Sequence, residues 1–524
     1  MSKHPLSVGA ALLVSTLSAS STWAGVQALA VTGGVAPIPG VSNATYSSFS
    51  SYASVGSNSL FEAFVSNSST YSAYADFCVD SNRVVSPLLV RGQLAPDAGG
   101  ATFASGNVPT ALPGGLVTFV PTLTGTGVNS NNFKGIYVGT PGNLHMLVRA
   151  GDPAPGAPGQ TFSVYSMHNV RVSRSGDVAF DVQLSTAPAS TAFGAWSTVG
   201  GLHEVARQLD PSPISGVTFG NLVGDPVVGN AGAAVITTLA GTGVTTDNDV
   251  AAFSDAGGTL HTVYREGDAA PGVPAYVYAN ITTSNVMSMN SGGQLAFASF
   301  LTRADKQPGV NYGLFLEQPG QGVHKLVVSG QAAPGTGGTF SQYSSIYNPE
   351  INESGQVVFR TVVTGGTSAD VIYRVNADGT GLLPMFVDNV AAPGIGSGVT
   401  YTSFNDDYFN NRGQVATIAS LSNFKHGLFA TRADGTQALI AYEGQTLEIL
   451  PGVFKTINML SWPGSAGTMD SLPTLLDDDG RITFAASFTD STSAILTSDT
   501  VFSPEPGALA LLALGGLALV VRRR

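Results

Sequence analysis

The chain of 524 residues contains one cysteine, Cys78. No intramolecular disulfide can therefore form, and no thiolate metal site can be assembled. A catalytic thiol needs a histidine beside it in space, and the simpler reading of Cys78 is a small buried apolar side chain. Charge is also scarce. Asp, Glu, Lys and Arg make up 11% of residues, against roughly 25% in ordinary soluble domains. The net charge is −12 with no internal run of Lys or Arg, so the basic footprint of a nucleic-acid binder is missing. A weakly charged, mildly acidic surface suits an extracellular protein that meets neutral polymers or other proteins. No GxSxG elbow, HExxH helix, P-loop or dinucleotide fingerprint stands in the chain. Paired carboxylates that cleave glycosides have no such signature and are not excluded by their absence.

Apolar residues (43%), glycine (64) and proline (29) are abundant, a mixture that favours many short strands joined by tight turns over long helices. Internal repetition is the dominant pattern. A turn of the form Gly-x-x-Ala-Pro-Gly begins at Gly151, Gly267 and Gly330, with weaker copies at Gly33, Gly92, Leu209, Asn389 and Gly444, a period of about 59 residues. An aromatic follows 10 to 13 residues later: Phe103, Phe162, Phe219, Tyr278, Phe340, Tyr401 and Phe454. A second motif runs in step with the first. Its clearest copies are Asn290 to Phe297, Asn352 to Phe359 and Asn410 to Thr417, with Asp477 to Phe484 and Ser173 to Phe180 close behind. Asn or Asp starts a turn through its own side chain, and Gly293, Gly355 and Gly413 supply the positive φ that closes it. Near-continuous apolar residues then predict a strand covered on both faces.

Each unit carries about four strand-like runs, as in Thr339 to Tyr347, Gln356 to Val363, Asp370 to Val375 and Leu382 to Val387. That count predicts an all-β fold, a β-propeller of about eight four-stranded blades. A β-solenoid or a row of small sandwiches is the alternative. The last unit stops after its third strand, and Val26 to Val31 resembles the missing fourth, so the N-terminal strand is expected to complete the last blade and lock the ring.

The two ends are different in kind. Residues 1–24 read as a signal peptide, with Lys3 and His4, an apolar stretch Val8 to Leu17, and cleavage between Ala24 and Gly25. At the other end, Pro504-Glu505-Pro506 leads into an apolar run, Ala508 to Val521, and then Arg522-Arg523-Arg524. Fourteen helical residues span about 21 Å, short of a ~30 Å hydrocarbon core. Residues 503–524 resemble a PEP-CTERM sorting signal. The resemblance implies recognition of Pro504, Glu505 and Pro506 by an exosortase in an exopolysaccharide-producing Gram-negative bacterium, removal of the transmembrane tail, and delivery to the cell surface or extracellular matrix. Signal peptidase and exosortase are the implied processing partners. The repeats in residues 25–502 resemble the NxxGxxAF tandem-repeat family with its various anchors; that resemblance implies architecture and location and no chemistry.

Candidate chemistry is sparse. His145, His203, His261 and His324 each lie six residues before a turn. On equivalent outer strands they are too far apart to share a metal, and duplication explains them. Asp152, Asp210 and Asp268 follow the turn glycine position and read as solvated turn residues or as ligands for Ca²⁺ or sugar hydroxyls. Asp477, Asp478 and Asp479 form the densest carboxylate run, with Asn405-Asp406-Asp407 one unit earlier, and are the candidates for Ca²⁺; no other cofactor is expected. An enzyme needs a cluster that breaks the repeat, and none is visible in the sequence. The expected function is accordingly a non-enzymatic binding or structural scaffold of a biofilm matrix, with exopolysaccharide or matrix proteins as partners. A carbohydrate-active hydrolase or lyase on a propeller is the alternative.

Overall fold

A computed structural model describes residues 25–499, apart from 56–57, 68–70, 81, 106–109, 112–114, 165–169, 186–192, 280–286, 304–310, 343–345 and 462–474. The expected signal segment through Ala24 and the expected sorting tail with Pro504–Pro506 and Arg522–Arg524 lie outside the described residues. Within them the chain is all-β and propeller-like, with no α-helix, and no helix is long and apolar enough to cross a membrane.

The strands form eight antiparallel sheets of four to six strands and one two-stranded sheet. The seventh is typical: Tyr401–Phe409, Val415–Leu421, His426–Thr431 and Gln437–Tyr442 pair in sequence order. In the sixth unit the first expected strand is two short pieces, Gly338–Phe340 and Ile346–Ile351, both laid along Val357–Thr364. The eighth sheet takes its outer strand from the other end of the chain: Val26–Val31 pairs antiparallel with Ser493–Ser498. Hydrophobic clusters lie between neighbouring sheets, because strands buried on both faces need a partner on each side. One joins Val358 and Ile372 of the sixth sheet to Tyr401 and Phe429 of the seventh. Another joins Ile418 of the seventh, Phe484 and Leu496 of the eighth, and Phe61 and Phe77 of the first.

Both repeated turns have a single geometry. The first residue of the Ala-Pro turn has positive φ in all eight copies, Leu209 (67°) and Asn389 (60°) included. Its N–H donates to the carbonyl of the residue that follows 10 to 13 positions later: Gly92 to Phe103, Gly151 to Phe162, Gly267 to Tyr278, Gly330 to Phe340. The eighth copy departs from the sequence reading. Gly444 donates to Ile457, not Phe454, and Phe454 is 64% exposed, because the hairpin Thr446–Leu450/Val453–Ser461 is longer than its siblings. In the first copy the partner is Tyr46, which the aromatic series had missed.

Candidate functional site

The Asn-x-x-Gly turns stack from sheet to sheet. Asn290, Asn352 and Asn410 are buried. Each accepts the N–H four residues on (Gln294, Gln356, Gln414) through its own Oδ1. Each also donates from Nδ2 to the carbonyl of the next turn: Asn290 to Asn352 at 3.1 Å, Asn352 to Asn410 at 3.4 Å, Asn410 to Asp477 at 2.8 Å. The turn residue therefore joins units as well as starting a turn. The glycine has two duties as well. Gly355 (φ 77°) and Gly413 (φ 73°) are left-handed, and a Cβ on either would lie within 3.0 Å of the Gln Oε1 of the preceding sheet.

The second residues of these turns make a polar network. Ser291 donates to Glu353, the Glu353 N–H to Asn411, and Asn411 donates from both N–H and Nδ2 to Asp478, each at 3.0 Å. Arg174, from the third sheet, reaches Asp478 at 2.6 Å and Glu353 at 3.7 Å. Asp479 turns outward to Arg412 at 2.9 Å, and Asp477 turns inward. The three carboxylates proposed for Ca²⁺ thus point to three different donors. No group of three or more His, Cys, Asp or Glu side chains is placed to hold a metal among the described residues.

In the eighth unit the repeated Asn/Gln pair becomes Asp477/Arg481, and this is where the sequence reading missed a break in the repeat. Asp477 is 1% exposed and accepts the Arg481 N–H at 2.7 Å. Burial is the main cause that pushes its carboxyl from 3.8 to about 7, against the pull of that N–H and of the Arg481 charge. Asp477 and Arg481 line a crevice of about 340 Å³ between the last and first sheets, with Ser59, Asp80, Arg83 and Thr497. Ser59 and Thr483 share a buried hydrogen bond at 2.9 Å. The signal was present in the sequence as the only unit with Asp and Arg at the two turn positions.

The remaining candidates serve the scaffold. His203 Nε2 meets Asp255 at 2.9 Å, His261 meets Glu317 at 2.6 Å, and His324 meets the Ala377 carbonyl at 2.6 Å, each in the following sheet. Their spacing is a series of clasps between sheets, which duplication alone did not predict. The carboxylate partners hold His203 and His261 above the usual histidine value against the opposing effect of burial. Asp152 accepts the Arg149 N–H, and Asp210 pairs with Arg207 at 2.9 Å; burial raises Asp268. The Asn405 carbonyl accepts from Arg360, which also grips Asp370 through two bonds of 2.7 Å. Asp407 is buried; the Asp406 side chain lies outside the described residues. Cys78 is half-buried rather than buried, and its Sγ donates to the Ser86 carbonyl at 3.6 Å. Gly25 accepts the Asp499 N–H at 2.6 Å.

Among solved structures, the chain is similar to a puromycin hydrolase (11% identity, TM-score 0.37), covering 84% of this chain and 58% of that one. It is also similar to the β-propeller domain of the Trilobed protease from Pyrococcus furiosus (7% identity, TM-score 0.39, 76% and 98%). A third likeness is to the acylaminoacyl peptidase of Pyrococcus horikoshii (7% identity, TM-score 0.36, 76% and 52%). The chain thus spans just over half the length of the hydrolase and of the peptidase. The proteins named in these matches are a hydrolase, a protease and a peptidase, and the expectation of a non-enzymatic matrix scaffold finds no support among them. No curated protein matches the sequence. A family model matches residues 15–188 and 157–510, most of the chain, and the protein therefore belongs to the family of unknown function DUF7453.

Proposed function

We propose that this protein is a hydrolase or lyase acting on carbohydrate, with its reaction centre in the crevice between the last and first sheets. The observation that carries the reading is Asp477, a carboxyl lining a concave polar site and poised at about 7. Such a group both takes and gives a proton near neutral pH, which is what general acid–base work demands. In hydrolysis the neutral acid protonates the departing oxygen as its bond to carbon breaks. Water then bonds to that carbon and returns a proton to the carboxylate. Arg481 and Arg83 supply fixed positive charge for an oxyanion or a sugar carboxylate. The three preceding turns keep Asn and Gln at these positions, so the departure costs stability where an amide would not, a pattern expected of a functional site.

The scaffold in this reading is a closed ring of eight blades. Eight sheets in chain order, apolar clusters between neighbours, and the pairing of Val26–Val31 with Ser493–Ser498 support it. Export follows from the signal-like residues 1–24, and surface delivery by signal peptidase and exosortase from the Pro504-Glu505-Pro506 tail.

The test is turnover of a polysaccharide panel by the wild type and Asp477→Asn, followed as new reducing or unsaturated ends. The expected outcome is activity with an ionisation near pH 7, lost in Asp477→Asn while the melting transition is kept. Equal turnover by both proteins sinks the assignment of Asp477, and no turnover on any member sinks the carbohydrate reading.

A further inference from the structure

In a repeat protein, what all units share is scaffold, and what one unit does alone asks for a separate cause. In seven units the Ala-Pro turn is closed by a single bridge or by a two-residue ladder. In the eighth it grows into a hairpin, Thr446–Leu450 and Val453–Ser461. Leu447, at the place that Ala333 and Ala392 hold elsewhere, is half-buried, Ile449 is buried, and Leu450, Val453 and Phe454 stand exposed at the tip. The hairpin overhangs the N-terminal strand, and together they enclose a groove of about 680 Å³ lined by Gly25, Val26, Gln27, Leu447, Leu450 and Pro451. Among the described residues, Glu448 is the one charged side chain on its wall.

The chain leaves the described fold at this same place, since the Asp499 N–H bonds to the Gly25 carbonyl. Eight residues, 500–507, separate Asp499 from Ala508, a reach of up to about 30 Å. Beyond them come fourteen uninterrupted apolar residues and three arginines, about 21 Å as a helix.

We propose that this groove and hairpin tip are the docking surface for the protein's own apolar segment, Ala508 to Val521, before that segment enters a membrane. Three exposed apolar side chains meet an apolar run that must otherwise face water. Glu448 offers a counter-charge to Arg522–Arg524. The proposal is independent of any catalysis in the crevice.

The experiment places a photo-crosslinking benzoylphenylalanine at position 454 of the full chain in detergent-free buffer, with and without phospholipid vesicles, and maps the linked peptides. Without vesicles, the expected product joins position 454 to the 508–521 segment within one molecule. Its yield falls by about tenfold or more when Leu511, Leu512 and Leu514 are changed to Ser, as loss of buried leucine area requires. A second measurement guards against a disturbed hairpin: Leu450→Ser with Val453→Ser leaves the melting transition in place but turns the full chain to self-association. Links only to a second copy, only to lipid, or to nothing overturn the proposal.

Discussion

Arg174 donates to Asp478, 304 residues further along the chain, at 2.6 Å. Arg174 follows the turn serine of the third unit and Asp478 follows the turn aspartate of the eighth, so equivalent positions in distant units meet face to face. Glu353 of the sixth unit joins them. The turns converge because each sheet starts from the same end, and second-position side chains then project into one shared space. Charge balance there is a property of the assembled sheets and of no single repeat.

Asp477→Asn restores the side chain that the three preceding units carry at Asn290, Asn352 and Asn410. A carboxyl whose value rises from 3.8 in the unfolded chain to about 7 in the fold disfavours folding by roughly 4 kcal/mol at most once ionised. The sign is that of an acid with a raised folded value: stability declines as pH climbs from about 4 through 7. The substitution is expected to stabilise the protein at pH 8 and do little at pH 4. Urea unfolding at the two values measures this, and equal effects at both would show that the carboxyl is not neutral in the fold.

Asp76 offers a second raised carboxyl, away from the crevice residues. It is buried in the first sheet, opposite Glu62, and neither of its carboxyl oxygens has a hydrogen-bond partner among the described residues. Burial, and then the Glu62 charge, raise its value well above the usual range. Asp76→Asn is expected to raise stability at pH 8 by at least about 1 kcal/mol and to flatten the pH dependence. A destabilised variant at that pH would mean the carboxylate is satisfied after all.

His203 and His261 act in the opposite direction. Their folded values are raised, so the bonds to Asp255 and Glu317 contribute fully below the unfolded value near 6.5 and fade as pH rises through the folded one. Both rings are more than a third exposed, which keeps each clasp to a fraction of a kcal/mol. His203→Gln with His261→Gln should lower the melting temperature by about a degree or two at pH 5.5 and hardly at pH 8.5. A loss independent of pH would assign the histidines to packing alone.

Removing Val26–Val31 strips the outer strand from the eighth sheet and exposes the edge of Ser493–Ser498. The truncated chain is expected to melt well below the intact one and to associate through that edge, visible by calorimetry and sedimentation. A compact monomer with unchanged melting would show that the N-terminal strand is dispensable.

Much of this protein is legible as a string of letters. Period, turn chemistry and apolar runs follow from local rules, since positive φ calls for glycine at Gly151 or Gly355 and double-sided burial calls for runs like Val357–Phe359. The pairing of the two chain ends was legible too, because one unit lacked a strand and the other end carried its match. Four things needed the tertiary structure: the reach of Arg174 to Asp478, the clasps made by the histidines, the exposure of Phe454, and the crevice that turns Asp477 from one more turn residue into a proton-poised carboxyl. Each depends on what a neighbouring sheet presents. Desolvation and long-range pairing are set by residues tens to hundreds of positions away, and a repeat sequence names its turns without saying which of them will face one another.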